Sequence, residues 1–479
     1  MTRDETDKIL ANGRPNHATV FVWIFAVSSI WHYTSSSTEI SRYLLQYDSL
    51  VTPLIILSIA TAFVAASFPN KTWALLTFCL GQLLAIGLRF PFVADHLVME
   101  LFLNLSIVAS FCYLAITQKT FRVSTSEIFE LFSPVGRWLL LIMYFFGTFH
   151  KINPGFMSLD SSCAVPFLAG FPLPDALLAQ EWVQWAAIYG TLIAELVAML
   201  LLLSSRTKYL GMLLGMSFHF LIGISKFGTM AHFSAFAMAL HTLFLPSSFG
   251  GRISSEVFVP QFLKNANTFR IFTIALIVLQ LAFGLHLGFT RQGYLVNSLY
   301  AVFGLTLFYL VLRHGQIRSD DAPYRLRSSL LALNVIPVWF FLHCMSPYIG
   351  LGTGGVTAMF SGLRTEGGIS NHYIIREPIR LFSYQDDVVY IDDAQNPSLI
   401  AAKEDGQGVV LFDFQRHFMK RDRLVLPLNL RVNEVSYSLN DPESFQRFVK
   451  ERFSTQSWLE QKYMSFRLVD QPRPNRCRH

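Results

Sequence analysis

The feature that most constrains this chain is a succession of apolar segments, each long enough to cross a lipid bilayer. A membrane-spanning helix needs about 20 mainly apolar residues. The sequence therefore predicts an all-α polytopic transmembrane bundle of about 11 helices within residues 18–348, preceded by a short tail at 1–17. The candidate spans cover residues 18–34, 51–68, 72–90, 97–117, 128–150, 182–203, 207–224, 229–246, 269–289, 294–313 and 327–346.

Composition supports the same class of protein. Hydrophobic residues make up 52% of the 479 positions and charged residues only 15%, a balance that is unusual for a soluble domain of this size. The five cysteines are scattered and show no metal-ligand spacing, so no metal site is predicted. The basic residues follow loops between spans and form no soluble patch. We therefore expect the lipid bilayer as a partner and no binding of nucleic acid.

The distribution of basic residues predicts an orientation. The amino-terminal tail and every second loop together carry sixteen lysines and arginines, whereas the opposite loops carry five. Positive residues concentrate on the cytoplasmic side of a membrane. The sequence therefore predicts a multi-pass protein of the cell (inner or plasma) membrane with a cytoplasmic amino terminus. The fifth span is the least regular, because Glu130 and Arg137 interrupt its first half, and a re-entrant fifth segment would reverse every later loop.

The carboxy-terminal region has a different pattern and predicts a small β-rich domain over residues 349–470, outside the membrane. Strand-like stretches at 379–384, 388–392, 409–414 and 424–432 are separated by turn residues. A helix should begin at Pro442 behind a cap at Asn440 or Asp441. Residues 471–479 form a basic tail.

Two ionisable residues stand out within the apolar part, because such groups at membrane depth are costly and often functional. Lys151 ends the apolar run of the fifth span, and Glu195 lies in the middle of the sixth. Glu195 is equally well interpreted as a paired packing residue beside the small-residue face of Gly190 and Ala194.

Histidines form a second asymmetry. Seven of them fall at or near the outer ends of the predicted spans, where they would anchor the interface or line a polar pocket that moves protons. Cys163 and Cys344 fall on that side as well, which allows a disulfide between them. The seven are His32, His96, His150, His219, His232, His286 and His343.

Four stretches resemble the vitamin K-dependent gamma-carboxylases and their bacterial relatives, the horizontally transferred transmembrane (HTTM) domain proteins. The first is Tyr144-Phe-Phe-Gly-Thr-Phe-His-Lys151. The others are Phe218-His219 with Phe227 to Met230, the aromatic span from Ala231 to Pro246, and Met359 to His372 after the last span. The likeness is strongest from about 130 to 415, and its bundle with an outer carboxy-terminal domain agrees with the pattern above.

The resemblance implies a function. In the carboxylases the lysine matched by Lys151 deprotonates a reduced quinone such as vitamin K or menaquinol, and oxygen and carbon dioxide complete the reaction. This chain departs from the carboxylases at His150, where they carry a further lysine, and at Asn153-Pro154, where they carry an acidic residue. We take Lys151, His150 and His219 as candidate catalytic residues. The candidate substrate-binding residues are Glu195, His232, Arg364, Glu366, Asn371 and His372.

Three interpretations remain open. The first is a quinol-oxidising or carboxylase-like enzyme at the outer membrane face that acts on a lipid-like or peptide substrate. The second is a non-catalytic HTTM protein that aids maturation or export of a secreted peptide. The third is a transporter, although a transporter usually places charges and broken helices at the midplane, and here only Glu195 is central.

Overall fold

The computed structural model describes residues 16–35, 51–225, 230–254, 289–316, 324–358, 360–379, 381–395, 397–420, 425–470 and 477. The predicted ninth span, at 269–289, lies outside these residues except for its last position, as do His286 and the stretch 226–229. The other ten predicted spans coincide with helical segments of the described chain.

Helices dominate the described part of residues 16–349. Two short helices lie in the loop between Phe149 and Glu181, and a 3₁₀ turn at Leu331–Asn334 precedes the helix that begins at Val335. The helices are α1 (His17–Ser35), α2 (Val51–Ser67), α3 (Thr72–Arg89), α4 (Asp95–Gln118), α5 (Thr125–Phe149), α6 (Ala164–Ala169), α7 (Asp175–Leu178), α8 (Glu181–Leu203), α9 (Lys208–Ile224), α10 (Ala231–Thr242), α11 (Phe249–Ser254), α12 (Phe289–His314), α13 (Val335–Cys344) and α14 (Ser346–Ile349).

Four of these helices, α3, α4, α5 and α8, are long and apolar enough to cross a membrane. Shorter apolar helices cover Pro53–Ser67, Lys208–Ile224 and Leu331–Cys344. The helical, apolar character of the chain is therefore confirmed. The number of crossings and the sidedness of the termini stay predictions.

Helix α5 is the central element of the bundle. Ser124 and Glu127 cap its start reciprocally, and the helix continues without a break for 25 residues. Arg137, which made this span irregular in the sequence, donates to the carbonyl oxygens of Leu243 at 2.8 Å and Arg325 at 2.6 Å. Because these carbonyls satisfy the guanidinium, α5 can pack against α4, α8 and α13 along its length.

The carboxy-terminal region contains an antiparallel sheet of five strands in the order β4-β3-β1-β2-β5. Its buried core includes Val389, Leu430 and Phe448. The elements are β1 (Val388–Ala394), α15 (Pro397–Glu404), β2 (Gln407–Val410), α16 (Leu411–Lys420), β3 (Leu428–Val432), β4 (Val435–Leu439), α17 (Pro442–Arg452), α18 (Trp458–Tyr463) and β5 (Val469–Asp470).

Some strand predictions in this region are wrong. The stretch at 379–384 forms no strand in its described residues, and 409–414 divides into the end of β2 and the start of helix α16. Helix α17 is confirmed, with the Ser444 backbone N–H donating to Asp441 Oδ1 at 2.8 Å. The region is therefore a mixed sheet-and-helix unit and not a mainly β one.

The sheet unit docks on one end of the helical bundle. Lys462 donates to the carbonyl oxygen of Leu88 at 2.8 Å, and the Tyr463 hydroxyl donates to His343 Nδ1 at 3.0 Å. The guanidinium of Arg416 lies 4.4 Å from the ring centre of Phe92, in the loop between α3 and α4. These contacts place the sheet at the end of the bundle where α3 and α13 finish and α4 begins.

Candidate functional site

Lys151 and Glu195 form a buried ion pair at this same end of the bundle. Lys151 follows the end of α5, and its Nζ donates to both carboxylate oxygens of Glu195 on α8, at 2.7 and 2.6 Å. The residues are only 7% and 8% exposed. Removing a charged group from water is costly unless an opposite charge lies beside it. The ammonium of Lys151 and the carboxylate of Glu195 therefore make each other's burial possible.

The ion pair lies in the wall of a cavity of about 120 Å³. Gly147, one turn before Lys151, also lines the cavity, and a Cβ there would lie 3.5 Å from Glu195 Oε1, in ordinary van der Waals contact. The rest of the wall is mainly aromatic and sulfur-containing. It includes Met99, Phe156, Phe167, Phe218, Phe233 and Phe360.

His219, on α9, also lines the cavity and is 1% exposed. Among the described residues neither of its ring nitrogens has a hydrogen-bond partner. A buried polar atom without a partner costs about 1–3 kcal/mol, so such atoms call for a reason. The ring of His219 packs 5.8 Å from that of Tyr144 and 5.3 Å from that of Phe233, measured between ring centres.

Tyr144 is a cavity residue that the sequence analysis did not single out, although it begins the motif that ends at Lys151. Its hydroxyl donates to His241 Nε2 at 3.0 Å, and His241 Nδ1 donates to the Ala237 carbonyl at 2.7 Å. The chain of bonds fixes the tautomer of His241 and holds the phenol at the cavity. No sequence spacing links Tyr144 to His241, because they lie 97 positions apart.

His150 occupies a different environment from Lys151, its neighbour in the chain. Its Nδ1 accepts from the Tyr348 hydroxyl at 2.8 Å and its Nε2 donates to the Val356 carbonyl at 3.2 Å. Both nitrogens are therefore used, the residue is 0% exposed, and it does not line the cavity. The structure does not bring this candidate catalytic residue to the ion pair.

Asn371 and His372 lie in a loop that packs on the end of α5. His372 Nε2 donates to the Phe149 carbonyl at 2.8 Å, and its Nδ1 accepts backbone N–H groups of Ile374 and Ile375. Asn371 Nδ2 donates to the Gly362 carbonyl at 2.9 Å. Both residues line a shallow groove at 368–377 that is separate from the cavity.

Arg364 and Glu366 also lie away from the cavity. Arg364 Nη1 donates to the Asp470 carbonyl at 3.4 Å, which ties the loop to strand β5. Glu366 Oε2 accepts the Thr365 backbone N–H at 3.0 Å, and its Oε1 lies 3.8 Å from Arg467 Nε. The contacts of these two candidate substrate-binding residues join the loop to the sheet.

His232 lies with two other histidines beside the cavity. Its ring centre is 5.0 Å from that of His32 and 4.9 Å from that of His96. Of the three, His96 also lines the cavity. The sequence predicted no metal site. It placed these three among seven histidines at one membrane face, but nothing in their spacing shows that residues from three distant parts of the chain meet.

The disulfide prediction is wrong. Cys163 pairs with Cys477, 314 positions away, and Cys344 is a free, buried thiol. Cys163 lines the cavity, so the bond ties the carboxy-terminal tail to the loop between α5 and α8 at the cavity wall. A single Cys near the end of a basic tail carries no local pattern that would identify its partner.

Comparison with known proteins gives no match: no protein-family model, curated protein or solved structure is similar to this chain.

Proposed function

We propose that the chain is a multi-pass membrane enzyme that removes a proton from the ring hydroxyl of a lipid-soluble hydroquinone, with Lys151 as base and Glu195 as its proton partner. The observation that carries the proposal is the Lys151–Glu195 pair in the wall of an aromatic cavity. The resemblance to the vitamin K-dependent carboxylases, with reduced quinone, oxygen and carbon dioxide as reactants, points in the same direction.

The geometry supports a specific order of proton transfers. As an ammonium, Lys151 donates to Glu195 and has no free electron pair. Transfer of one proton to Glu195 would give a neutral amine and a carboxylic acid, and apolar walls lower the cost of that neutral pair relative to the charged one. The amine would then take the hydroxyl proton of the substrate, which leaves an ammonium ion beside the new phenolate.

The lining of the cavity suits an aromatic ring. Its volume of about 120 Å³ is below the roughly 150 Å³ of a cavity that binds benzene, so a quinol ring would enter only with movement of the wall side chains. Phe218 and Phe233 offer ring faces and edges, and His219 offers two unused nitrogens to a second ring oxygen. The isoprenoid tail of a quinol would have to leave the cavity toward lipid.

In this proposal the cavity end of the bundle faces outward and the amino terminus is cytoplasmic. The bias of basic residues toward alternate loops supports that orientation. The Cys163–Cys477 disulfide lies at the cavity end, and disulfides persist in oxidising compartments.

The test is quinol turnover by the full chain in lipid. Reduced menaquinone or vitamin K is supplied with oxygen and bicarbonate, and quinone and epoxide products are measured by mass spectrometry. We expect product from the wild type and none from Lys151→Met/Glu195→Leu, which removes both charges together. Lys208→Met is the matched control, because Lys208 is also buried but packs on Tyr324, away from the cavity.

Absence of product from folded wild-type protein would contradict the proposal and favour a non-catalytic maturation protein or a transporter. Equal product from the wild type and the double variant would remove Lys151 from the mechanism.

A further inference from the structure

Three helix ends bring together His32, His96 and His232. His32 lies in the last turn of α1, and the other two lie in the first turns of α4 and α10. The ring centres are 4.8, 5.0 and 4.9 Å apart, which makes a nearly equilateral triangle. One ligand nitrogen from each ring can be chosen so that all three lie within 4.8 Å of one another.

The cluster has unmet hydrogen-bonding capacity. His32 and His96 are 5% and 3% exposed. One hydrogen bond, at 3.0 Å, joins His96 Nε2 to His32 Nδ1. The remaining nitrogens of these two rings, His32 Nε2 and His96 Nδ1, are buried without a partner among the described residues. In two neutral rings joined by this bond, the donor ring keeps a lone pair on its remaining nitrogen and the acceptor ring carries an N–H there. The lone pair is open to a cation, and each of the two groups costs about 1–3 kcal/mol while it has no partner.

The donor set selects a class of ligand. Neutral imidazole is a common ligand for zinc and for other first-row divalent metals, and three protein ligands with one open position are typical of reactive zinc sites. With Zn–N bonds of about 2.0–2.1 Å, tetrahedral ligand nitrogens lie roughly 3.3 Å apart. The rings would therefore turn inward slightly from the 4.8 Å limit in this structure.

One neighbouring charge opposes a bound cation. Arg89, at the end of α3, lies close enough to act electrostatically on His32 and His96. Binding must therefore come from coordination by the three imidazoles, a ligand type that suits zinc, copper, iron and nickel.

We infer that His32, His96 and His232 form a binding site for one divalent transition-metal ion of the zinc class, with a fourth position open to water or a small ligand. The site is separate from the Lys151–Glu195 pair and requires no assumption about the quinol reaction. His96 belongs to both the triangle and the cavity wall, so the metal would lie beside the cavity.

The experiment measures metal binding by the full chain, purified in lipid nanodiscs without a polyhistidine tag. After chelation, Zn²⁺ or Co²⁺ is returned and the bound metal is counted by mass spectrometry. We expect about one ion per chain, and a visible Co²⁺ spectrum typical of nitrogen ligands in tetrahedral geometry. His32→Gln, His96→Gln and His232→Gln should each lower affinity on the order of 100-fold or more, above the effect of outer-shell changes.

Two controls separate this site from other histidines and from the proposed enzyme activity. His343→Gln changes another buried histidine at the same end of the bundle and should keep the metal. Lys151→Met/Glu195→Leu should also keep it, even though we expect that variant to lose quinol turnover. Loss of turnover and loss of metal are therefore distinguishable.

Failure of the wild type to bind either ion would overturn the inference, and so would unchanged binding in all three triad variants. If a triad variant does not fold, X-ray absorption on the metal-loaded wild type decides the question. A first coordination shell with three imidazole ligands supports the site, and a shell of sulfur or carboxylate ligands without imidazole excludes it.

Discussion

Two buried ion pairs at the same end of the molecule differ in how completely they are satisfied. In the sheet unit, Asp413 pairs with Arg416, which also donates to the carbonyls of Gln461 and Met464 at 3.0 and 2.7 Å. Asp413 in turn accepts the backbone N–H of Phe466 at 2.9 Å. Among the described residues, the side chains of Lys151 and Glu195 hydrogen-bond only to each other, and they face a cavity.

The two pairs differ in role: Asp413–Arg416 is structural, and Lys151–Glu195 is a candidate site for a ligand. The Asp413–Arg416 pair orders three backbone groups within the sheet unit, and the Arg416 guanidinium packs on Phe92 of the bundle. The Lys151–Glu195 pair keeps bonding capacity on the cavity side, which is what a ligand requires. Burial alone does not distinguish the two pairs; the number of other partners does.

The largest expected effect comes from breaking each pair and then replacing it entirely. Arg416→Met and Lys151→Met should each lower the free energy of unfolding by about 3–5 kcal/mol, because each leaves a buried carboxylate without its cationic partner. Lys151→Met/Glu195→Leu should recover most of that loss, since an apolar pair can replace an ion pair at little cost. Arg416→Met/Asp413→Leu should not recover it, because three backbone groups lose their partners.

Thermal unfolding of the four variants in nanodiscs measures this difference. Equal recovery of stability in both double variants would show that the two pairs contribute in the same way and that the other partners of Asp413–Arg416 do not matter.

A smaller effect on stability is expected when pH changes the protonation of Asp413 in the Asp413–Arg416 pair. Burial raises the pKa of Asp413 from 3.8 to about 6, although the Arg416 guanidinium acts in the opposite direction. The folded chain therefore binds a proton that the unfolded chain releases between about pH 4 and 6. Stability should fall by roughly 2–3 kcal/mol as pH rises through this window and then level off.

Melting curves of wild type and Asp413→Asn across pH 4–7 check this prediction. The melting temperature of the wild type should fall more steeply as pH rises than that of Asp413→Asn. Equal slopes for the two proteins would contradict the raised pKa of Asp413.

His150 and His219 differ in the same way, because only His150 has hydrogen-bond partners for its ring nitrogens among the described residues. His150→Phe removes bonds to Tyr348 and Val356 and should cost about 1–3 kcal/mol. His219→Phe removes no hydrogen bond that the described residues provide, so stability should change by less than about 1 kcal/mol. Quinol turnover should fall at least tenfold in His219→Phe. A large stability loss in that variant would identify His219 as structural.

The smallest effect is expected at Gly147. Its substitution by Ala places a methyl group 3.5 Å from Glu195, an ordinary contact distance, so the change in stability should stay below about 1 kcal/mol. The methyl narrows the cavity, and we expect a several-fold rise in the KM for quinol with an unchanged melting temperature. Gly190→Ala is the control, because a Cβ there meets nothing within 4 Å. Identical KM values in the two variants would place the substrate elsewhere.

Local patterns predicted much of the fold. The segment 182–203 became helix Glu181–Leu203, and the helix from Pro442 began behind its Asp441 cap. At 409–414 the alternation failed, because Val-Val-Leu-Phe-Asp-Phe fits both a strand and an amphipathic turn of helix. Packing of Leu411 and Phe414 on the sheet core selects the helix there.

The candidate site was predicted in part. Lys151, Glu195 and His219 were chosen as rare polar groups in apolar segments, and the structure brings all three to one cavity. His150 looked equivalent to Lys151 by position, but the direction of its side chain depends on Tyr348, almost two hundred residues later. Tyr144 was passed over because a tyrosine in an aromatic span has no distinguishing spacing.

The sequence by itself determined that apolar helices make up most of this chain and where many of them begin and end. Transfer of apolar side chains from water and the capping of helix ends are local properties that add up along the chain. Only the tertiary structure decided that Lys151 meets Glu195, that three histidines form a triangle, and that Cys163 bonds to Cys477. Those contacts depend on which helix faces pack together, and that packing involves side chains from the whole chain.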